Sequence, residues 1–275
     1  MRDVTIGQYY PGESIVHRLD PRVKLFATLV LVVMLFVVDN FIGFGFVAIV
    51  IGVIITLARL PFGKLLRGVR GILLILIFSA VLNMFFTPGH ALVKIGIIKI
   101  TGAGLVRACY LIVRLVLLVI ATSIMTLTTK PTDMADGLEK AFGFLKVIKF
   151  PVHEIAMIMS LALRFIPTLM DETEKIKKAQ MARGADFESG NILVRAKSMV
   201  PILVPLFVSS IMKADGLAQA MDARCYNGGK RTKLNPLKYR GADFVSYLCS
   251  LCFIAAVISI NFVVNKYLGN TPICF

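Results

Sequence analysis

Phe41-Ile42-Gly43-Phe44-Gly45-Phe46-Val47-Ala48-Ile49-Val50-Ile51-Gly52-Val53-Ile54-Ile55-Thr56-Leu57-Ala58 holds 18 residues without a charge. About 20 apolar residues cross the hydrocarbon of a bilayer, so this run reads as a membrane-spanning helix. Four further runs have comparable length and character, at about 23–38, 71–87, 105–127 and 244–265. The chain of 275 residues is 57% hydrophobic, with a mean hydropathy of +0.80. Soluble domains are less apolar, so the fold class is all-α, a polytopic membrane protein with about five spans.

The net charge is +15. Lysines and arginines crowd three places: the approach to the first span, the segment carrying Arg59, Lys64, Arg67 and Arg70, and the block 130–240. That block has 18 Lys and Arg against 11 Asp and Glu. The opposite connections are poor in them: 39–40 has none, and 88–104 has Lys94 and Lys99. Positive loops stay inside, which places the N-terminus and the large block in the cytoplasm and the C-terminus outside. Anionic lipid near the cytoplasmic ends accounts for the basic balance without nucleic acid. Segment 1–20 is charged and lacks the apolar core of a signal peptide. The chain divides into spans 1–4 over 1–128, a cytoplasmic helical domain over 129–241, and a last span with an external C-terminus over 242–275.

Between spans 3 and 4, residues 93–101 are β-branched around Gly96. They fit a small external hairpin or an irregular loop. Within the block, Pro131-Thr132-Asp133 opens a short helix that ends near Gly143. A second helix runs from about Val152 to Met181. Ile155, Ile158, Met159, Ala162, Phe165, Ile166, Leu169 and Met170 recur on it at three- and four-residue spacing, an apolar stripe. From Asp171 to Lys178 it turns charged, facing water or another protein. A third helix runs from about Ile192 to Arg224, is bent by Pro201 and Pro205, and gives way to Gly228-Gly229. Glu154 and Arg164 argue against a sixth span at 152–170, since each charge in lipid costs about 2.5–3.5 kcal/mol. Segment 199–212 has no charge but is short and carries two prolines. Both helices are read as lying across the cytoplasmic face.

Two stretches at the ends of these helices resemble each other. One is Ala179-Gln180-Met181-Ala182-Arg183-Gly184 and the other Ala218-Gln219-Ala220-Met221-Asp222-Ala223-Arg224-Cys225. An arginine near a helix C-terminus complements the helix dipole, which alone would explain one of them. Two in the same Ala-Arg-small context fit equally a pair of guanidinium groups offered to grooves on partners. There each could pair in bidentate fashion with a carboxylate.

Other constellations carry little chemistry. Gly229-Lys230-Arg231-Thr232 lacks the Ser or Thr directly after Lys that a phosphate loop needs. The three histidines (17, 90, 153) lack ligand spacing. The five cysteines make no disulfide framework, and Cys249 and Cys252 read as small apolar residues in lipid. Arg107 and Arg114 lie in span 4. Arg107 can snorkel outward, and Arg114 must find a partner inside the protein. No catalytic, cofactor or metal residue is assigned. A membrane enzyme acting at the cytoplasmic face is a different class. It would need a convergent cluster, and Asp171, Glu172 and Glu174 are the only dense acids. An ion channel is a third option, disfavoured by the large basic block.

Tyr10-Pro11-Gly12-Glu13-Ser14 followed by His17-Arg18-Leu19-Asp20-Pro21-Arg22-Val23-Lys24-Leu25 resembles the N-terminal signature of the transmembrane T component of energy-coupling factor importers. Thr128-Thr129-Lys130-Pro131-Thr132-Asp133, Arg164-Phe165-Ile166-Pro167 with Asp171-Glu172, and the segments 179–186 and 201–226 are similar too, in the right order. The resemblance implies a multi-pass protein of a prokaryotic cell membrane. Its partners would be two ABC ATPase subunits, which hold ATP and magnesium, and an S component that binds a vitamin or metal ion. Several S components could share it. This chain would be a non-catalytic coupling subunit without a cofactor. The family's two docking motifs map onto Ala182, Arg183, Gly184 and onto Ala223, Arg224, Cys225. Arg164, Pro167, Pro201 and Pro205 map onto the coupling helices. Cys225 stands where the family carries Gly, so the second helix is expected to end differently.

Overall fold

The computed structural model describes residues 9–38, 40–86, 91–95, 98–143, 151–187, 189, 191–227 and 239–267. Eight helices and one hairpin follow in the order α1 (Pro21–Val37), α2 (Phe41–Ala58), α3 (Phe62–Phe86), β1 (Ala91–Ile95), β2 (Ile98–Thr101), α4 (Gly102–Thr128), α5 (Pro131–Ala141), α6 (Val152–Ala182), α7 (Ile192–Asp222) and α8 (Gly241–Tyr267). The chain forms two compact units. Among the described residues, one covers 9–140 with 239–267 and the other covers 141–227.

The first unit is a bundle of α1, α2, α3, α4 and α8. Its interior is aliphatic, with Leu35, Val47, Ile51 and Val257 all but sealed from solvent. Large apolar side chains such as Leu74, Phe78 and Phe262 point outward, as lipid-facing residues do. The helix directions alternate. The start of α1 meets the end of α4, because Lys24 Nζ donates to the Thr128 carbonyl at 3.0 Å. The end of α1 meets Arg114, earlier in α4. Gly68 of α3 faces Ser123, and Gly104 at the start of α4 faces the carbonyls of Asn83 and Met84 near the end of α3. A Cβ at Gly104 would lie 2.9 Å from the Met84 oxygen, so only glycine permits this approach. Between them β1 and β2 pair antiparallel, Lys94 opposite Lys99. The hairpin reading of 93–101 holds, and Gly96 and Ile97 lie outside the described residues. Thr101 then caps α4, its hydroxyl accepting from Gly104 N.

α8 runs parallel to α1. Asp243 in its first turn accepts from Asp20 N at 2.8 Å, and Asn261 near its end donates to the Val37 carbonyl at 3.0 Å. Arg114 takes the next carbonyl, that of Val38, at 2.8 Å, with the rings of Phe36 and Phe44 beside its guanidinium. This is the internal partner Arg114 needs. It is a helix-end carbonyl with no partner in its own helix, not an acid.

The spans differ from the sequence reading in two ways. α3 starts at Phe62, so Lys64, Arg67 and Arg70 ride on its first turns rather than in a loop. Among the described residues, five helices are long and apolar enough to cross a membrane: α2, α3, α4, α7 and α8. α1, at 17 residues, falls just below that length, and α7 takes its place in the set. Segment 199–212 looked too short because only its charge-free centre was counted. The helix continues for several residues on each side.

The second unit contains α6 and α7, each 31 residues long. Both run unbroken through their prolines: Pro167 in α6, Pro201 and Pro205 in α7. Each proline removes the amide that would bond the carbonyl four residues earlier. The carbonyl released by Pro205 is that of Pro201, and Gln180 Nε2 of α6 reaches it at 3.3 Å. The expected helix stop at Gly228-Gly229 lies outside the described residues. α7 has already ended by Asp222.

Candidate functional site

The ends of α6 and α7 are built alike. Gly184 has a left-handed backbone, φ 88°. Its amide bonds the Met181 carbonyl at 3.0 Å, and the Ala185 amide bonds the Gln180 carbonyl at 3.0 Å. This double closure is a Schellman motif, with Arg183 as the last half-helical residue. At the end of α7 the Cys225 amide bonds the Asp222 carbonyl at 2.8 Å, and the Tyr226 amide bonds the Met221 carbonyl at 3.1 Å. The same motif results, with Arg224 in the position of Arg183. Cys225 has φ 58°, in the left-handed region that glycine adopts freely and other residues adopt at a cost.

The expectation that Cys225 ends the second helix differently is therefore corrected. Backbone hydrogen bonds, not the missing side chain, define the cap. Ala182, Arg183, Gly184, Ala223, Arg224 and Cys225 are all exposed. Among the described residues, neither arginine is assigned an ion pair. Each arginine lies exposed between small neighbours.

Arg164 is also exposed on α6, and Pro167 lies one turn beyond it, half-buried. The stripe beside them is open as well: Ile155, Ile158, Met159, Ile166 and Met170 are all exposed. On α7 the exposed apolar residues include Leu203, Val204, Phe207 and Met212. Apolar area on this scale faces either lipid or a partner.

Of the acids read as facing water or another protein, Glu172 is tied to α7. Ser209 Oγ donates to its Oε1 at 2.9 Å, and the Lys213 ammonium pairs with its Oε2. Lys213 beside it, more than any other group, holds its carboxyl below the usual range. Glu174 by contrast pairs along the helix surface with Lys178 at 2.8 Å, a contact worth a few tenths of a kcal/mol.

A second cluster lies in the first unit, built on the segment from Tyr10 to Leu25, and its partners were not legible in the sequence. The N-terminal signature folds into a clasp. The Tyr10 amide bonds the Leu127 carbonyl at 2.9 Å. His17 Nε2 lies 3.0 Å from the Tyr10 carbonyl, which can only accept, so Nε2 carries the proton. Nδ1 then accepts from the Ser14 hydroxyl at 2.7 Å. Buried Lys24 donates to the carbonyls of His17 and Thr128, both at 3.0 Å. Asp243 is 1% exposed. Its Oδ2 accepts from the Arg240 amide at 2.7 Å while Oδ1 holds Asp20 N, so one carboxyl caps the starts of both α8 and α1. The available signal was that Asp243 is the sole acid after Asp222, placed where an apolar span begins.

His17 carries a pH dependence. Burial of the ring lowers its pKa, the Tyr10 hydrogen bond opposes this, and the Lys24 charge lowers it further. The neutral ring is favoured in the fold. Its contribution is full above about pH 6.5 and fades as pH falls through the lowered value. Proteolysis of segment 9–20 is expected to be faster at pH 5 than at pH 7.5. That difference should shrink in His17→Gln.

Residues 12–234 match the family described as CbiQ, cobalt transport protein. The chain belongs to this family. It is a transmembrane T component of the energy-coupling factor type and a multi-pass membrane protein. Proteins named energy-coupling factor transporter transmembrane protein EcfT match along nearly all of it. That of Clostridium kluyveri is 48% identical over 257 residues, covering 92% of this chain and 95% of that protein. That of Thermosediminibacter oceani is 46% identical over 251 residues, covering 91% and 95%. That of Bacillus subtilis is 44% identical over 260 residues, covering 94% and 98%.

Proposed function

We propose that this chain couples ATP hydrolysis on partner subunits to substrate import by a separate membrane S component. The observation that carries the reading is the matched pair of helix ends. Two 31-residue helices close with the same cap and offer the same arginine. Each end docks into one of two ABC ATPase subunits, where a carboxylate meets the guanidinium. When ATP draws those subunits together, the ends move, and stiff packed helices carry the shift along α6 and α7. The open apolar faces of these helices give the S component a greasy platform. The vitamin or metal ion imported is chosen by that component. The deciding experiment is recovery of ATPase subunits with the tagged chain, wild type against Arg183 and Arg224 variants.

The orientation places the α1 start and the α6–α7 unit in the cytoplasm. Parity supports this. α1 and α8 are parallel, so the number of crossings separating them must keep that direction, and α7 crossing without α6 would reverse it. Parity would also allow both to cross, and Glu154 and Arg164 on α6 weigh against that, which supports reading α6 and α7 at the cytoplasmic face. A cysteine at Asn270 is expected to react with an impermeant label from outside the cell, and one at Gly190 only from inside. Labelling of both from one side would overturn the arrangement.

Pro167 has a place in the transmission. Pro167→Ala restores an amide to α6 and removes a fixed irregularity. Assembly with ATPase subunits should persist while vitamin uptake falls. Normal uptake in a stably expressed variant would show that coupling does not need the proline.

A further inference from the structure

Glu172 ties α6 to α7 where little else can align them. Segment 199–212 of α7 has no charge, and two apolar helix faces can slip past each other by a turn at modest cost. Two polar ties hold one antiparallel register. Glu172 meets Ser209 and Lys213, and Gln180 meets the Pro201 carbonyl. From Glu172 to Gln180 and from Pro201 to Ser209 are both eight residues, about 12 Å along each helix. Glu172 also lies 11 residues before Arg183, and Lys213 lies 11 before Arg224. The tie is therefore about 16 Å from each arginine.

We propose that Glu172, with Ser209 and Lys213, sets the register of α6 against α7 and thereby the separation of Arg183 and Arg224. Its side chain and that of Lys213 are each about a third exposed, so the pair adds little stability. Its value is discrimination. Both carboxylate oxygens are used in this register. Ser209 and Lys213 lie one turn apart on α7, so a slip of one turn, about 5.4 Å, leaves Glu172 at most one of them and pulls Gln180 off the Pro201 carbonyl. Polar groups between apolar helices are best attested in this aligning role. Glu172 is a positioning residue. Its consequence for transport rests on the docking reading above, but the register itself does not.

The test is a pulsed electron-spin distance measurement on the full chain in nanodiscs. Labels sit on native Cys225 and on Ala182→Cys, with Cys109, Cys249, Cys252 and Cys274 replaced by Ser. The parent is expected to give one narrow distance. Glu172→Gln and Lys213→Met should each broaden it or add a population displaced by about 5 Å, one helical turn. The exchange Glu172→Lys with Lys213→Glu should restore the narrow peak. An unchanged distribution in both single variants, or an exchange as broad as either, overturns the proposal. No ATPase subunit is present. A positive result alongside arginine variants that still assemble would leave the register standing and remove the docking reading alone.

Discussion

Replacing Arg183 and Arg224 together by Ala is expected to release both ATPase subunits from the tagged chain and abolish uptake. On the proposed docking, each arginine enters a groove and meets a carboxylate. Removing one member of such a buried pair costs roughly 2–5 kcal/mol, much of it from the partner left unpaired. Each 1.4 kcal/mol is tenfold in affinity, so a single loss should weaken the complex while the other end still holds. Arg183→Lys and Arg224→Lys should also be impaired, because Lys keeps the charge but loses the planar fork. If the arginines served only their own helix dipoles, Lys would do as well, and Ala would cost about 1 kcal/mol at most. Pull-down and uptake across the single, Lys and double variants separate the two. A double Ala variant that binds both subunits and imports normally refutes docking.

The largest effect on the fold itself is expected at Asp243. Its carboxyl receives two backbone amides, from Asp20 and Arg240, at a site 1% exposed. Hydrogen bonds to a charged acceptor are worth about 1.5–3 kcal/mol each. Asp243→Ala leaves the buried Asp20 amide and the half-buried Arg240 amide without an acceptor and should cost about 3 kcal/mol. Asp243→Asn keeps one acceptor oxygen and should fall between. Thermal unfolding of purified protein, followed by monodispersity, measures the order. Equal melting of Ala variant and wild type would show that the cap is not needed.

The spans were legible because hydrocarbon imposes one rule on every residue of an 18-residue run. α2 is charge-free throughout and begins and ends where the sequence placed it. α7 was harder, because its charge-free centre is short while its helix is long, and length is decided by how far the flanking polar residues stay helical. The arginine ends were visible as a repeat. Their equivalence was not, because a cysteine letter says nothing of a left-handed backbone. Glu172 read, with its neighbours Asp171 and Glu174, as facing water or another protein. Only the crossing of α7 gives it Ser209 and Lys213, which lie 37 and 41 residues away. Asp243 and Lys24 were hidden for the same reason: their partners are backbone groups, and backbone groups have no letter.

The stapling of α1 at both ends by α8 has a consequence for biogenesis. The amide of Asp20 and the carbonyl of Val37 both wait for residues more than 220 positions later. At a synthesis rate of about 5–20 residues per second, that is a delay of roughly 10–45 s. Through that interval the ends of the first helix must find partners in water or lipid headgroups in place of those α8 will supply. Assembly therefore finishes from its two extremities inward, and a chain released before its last helix emerges leaves its first one open.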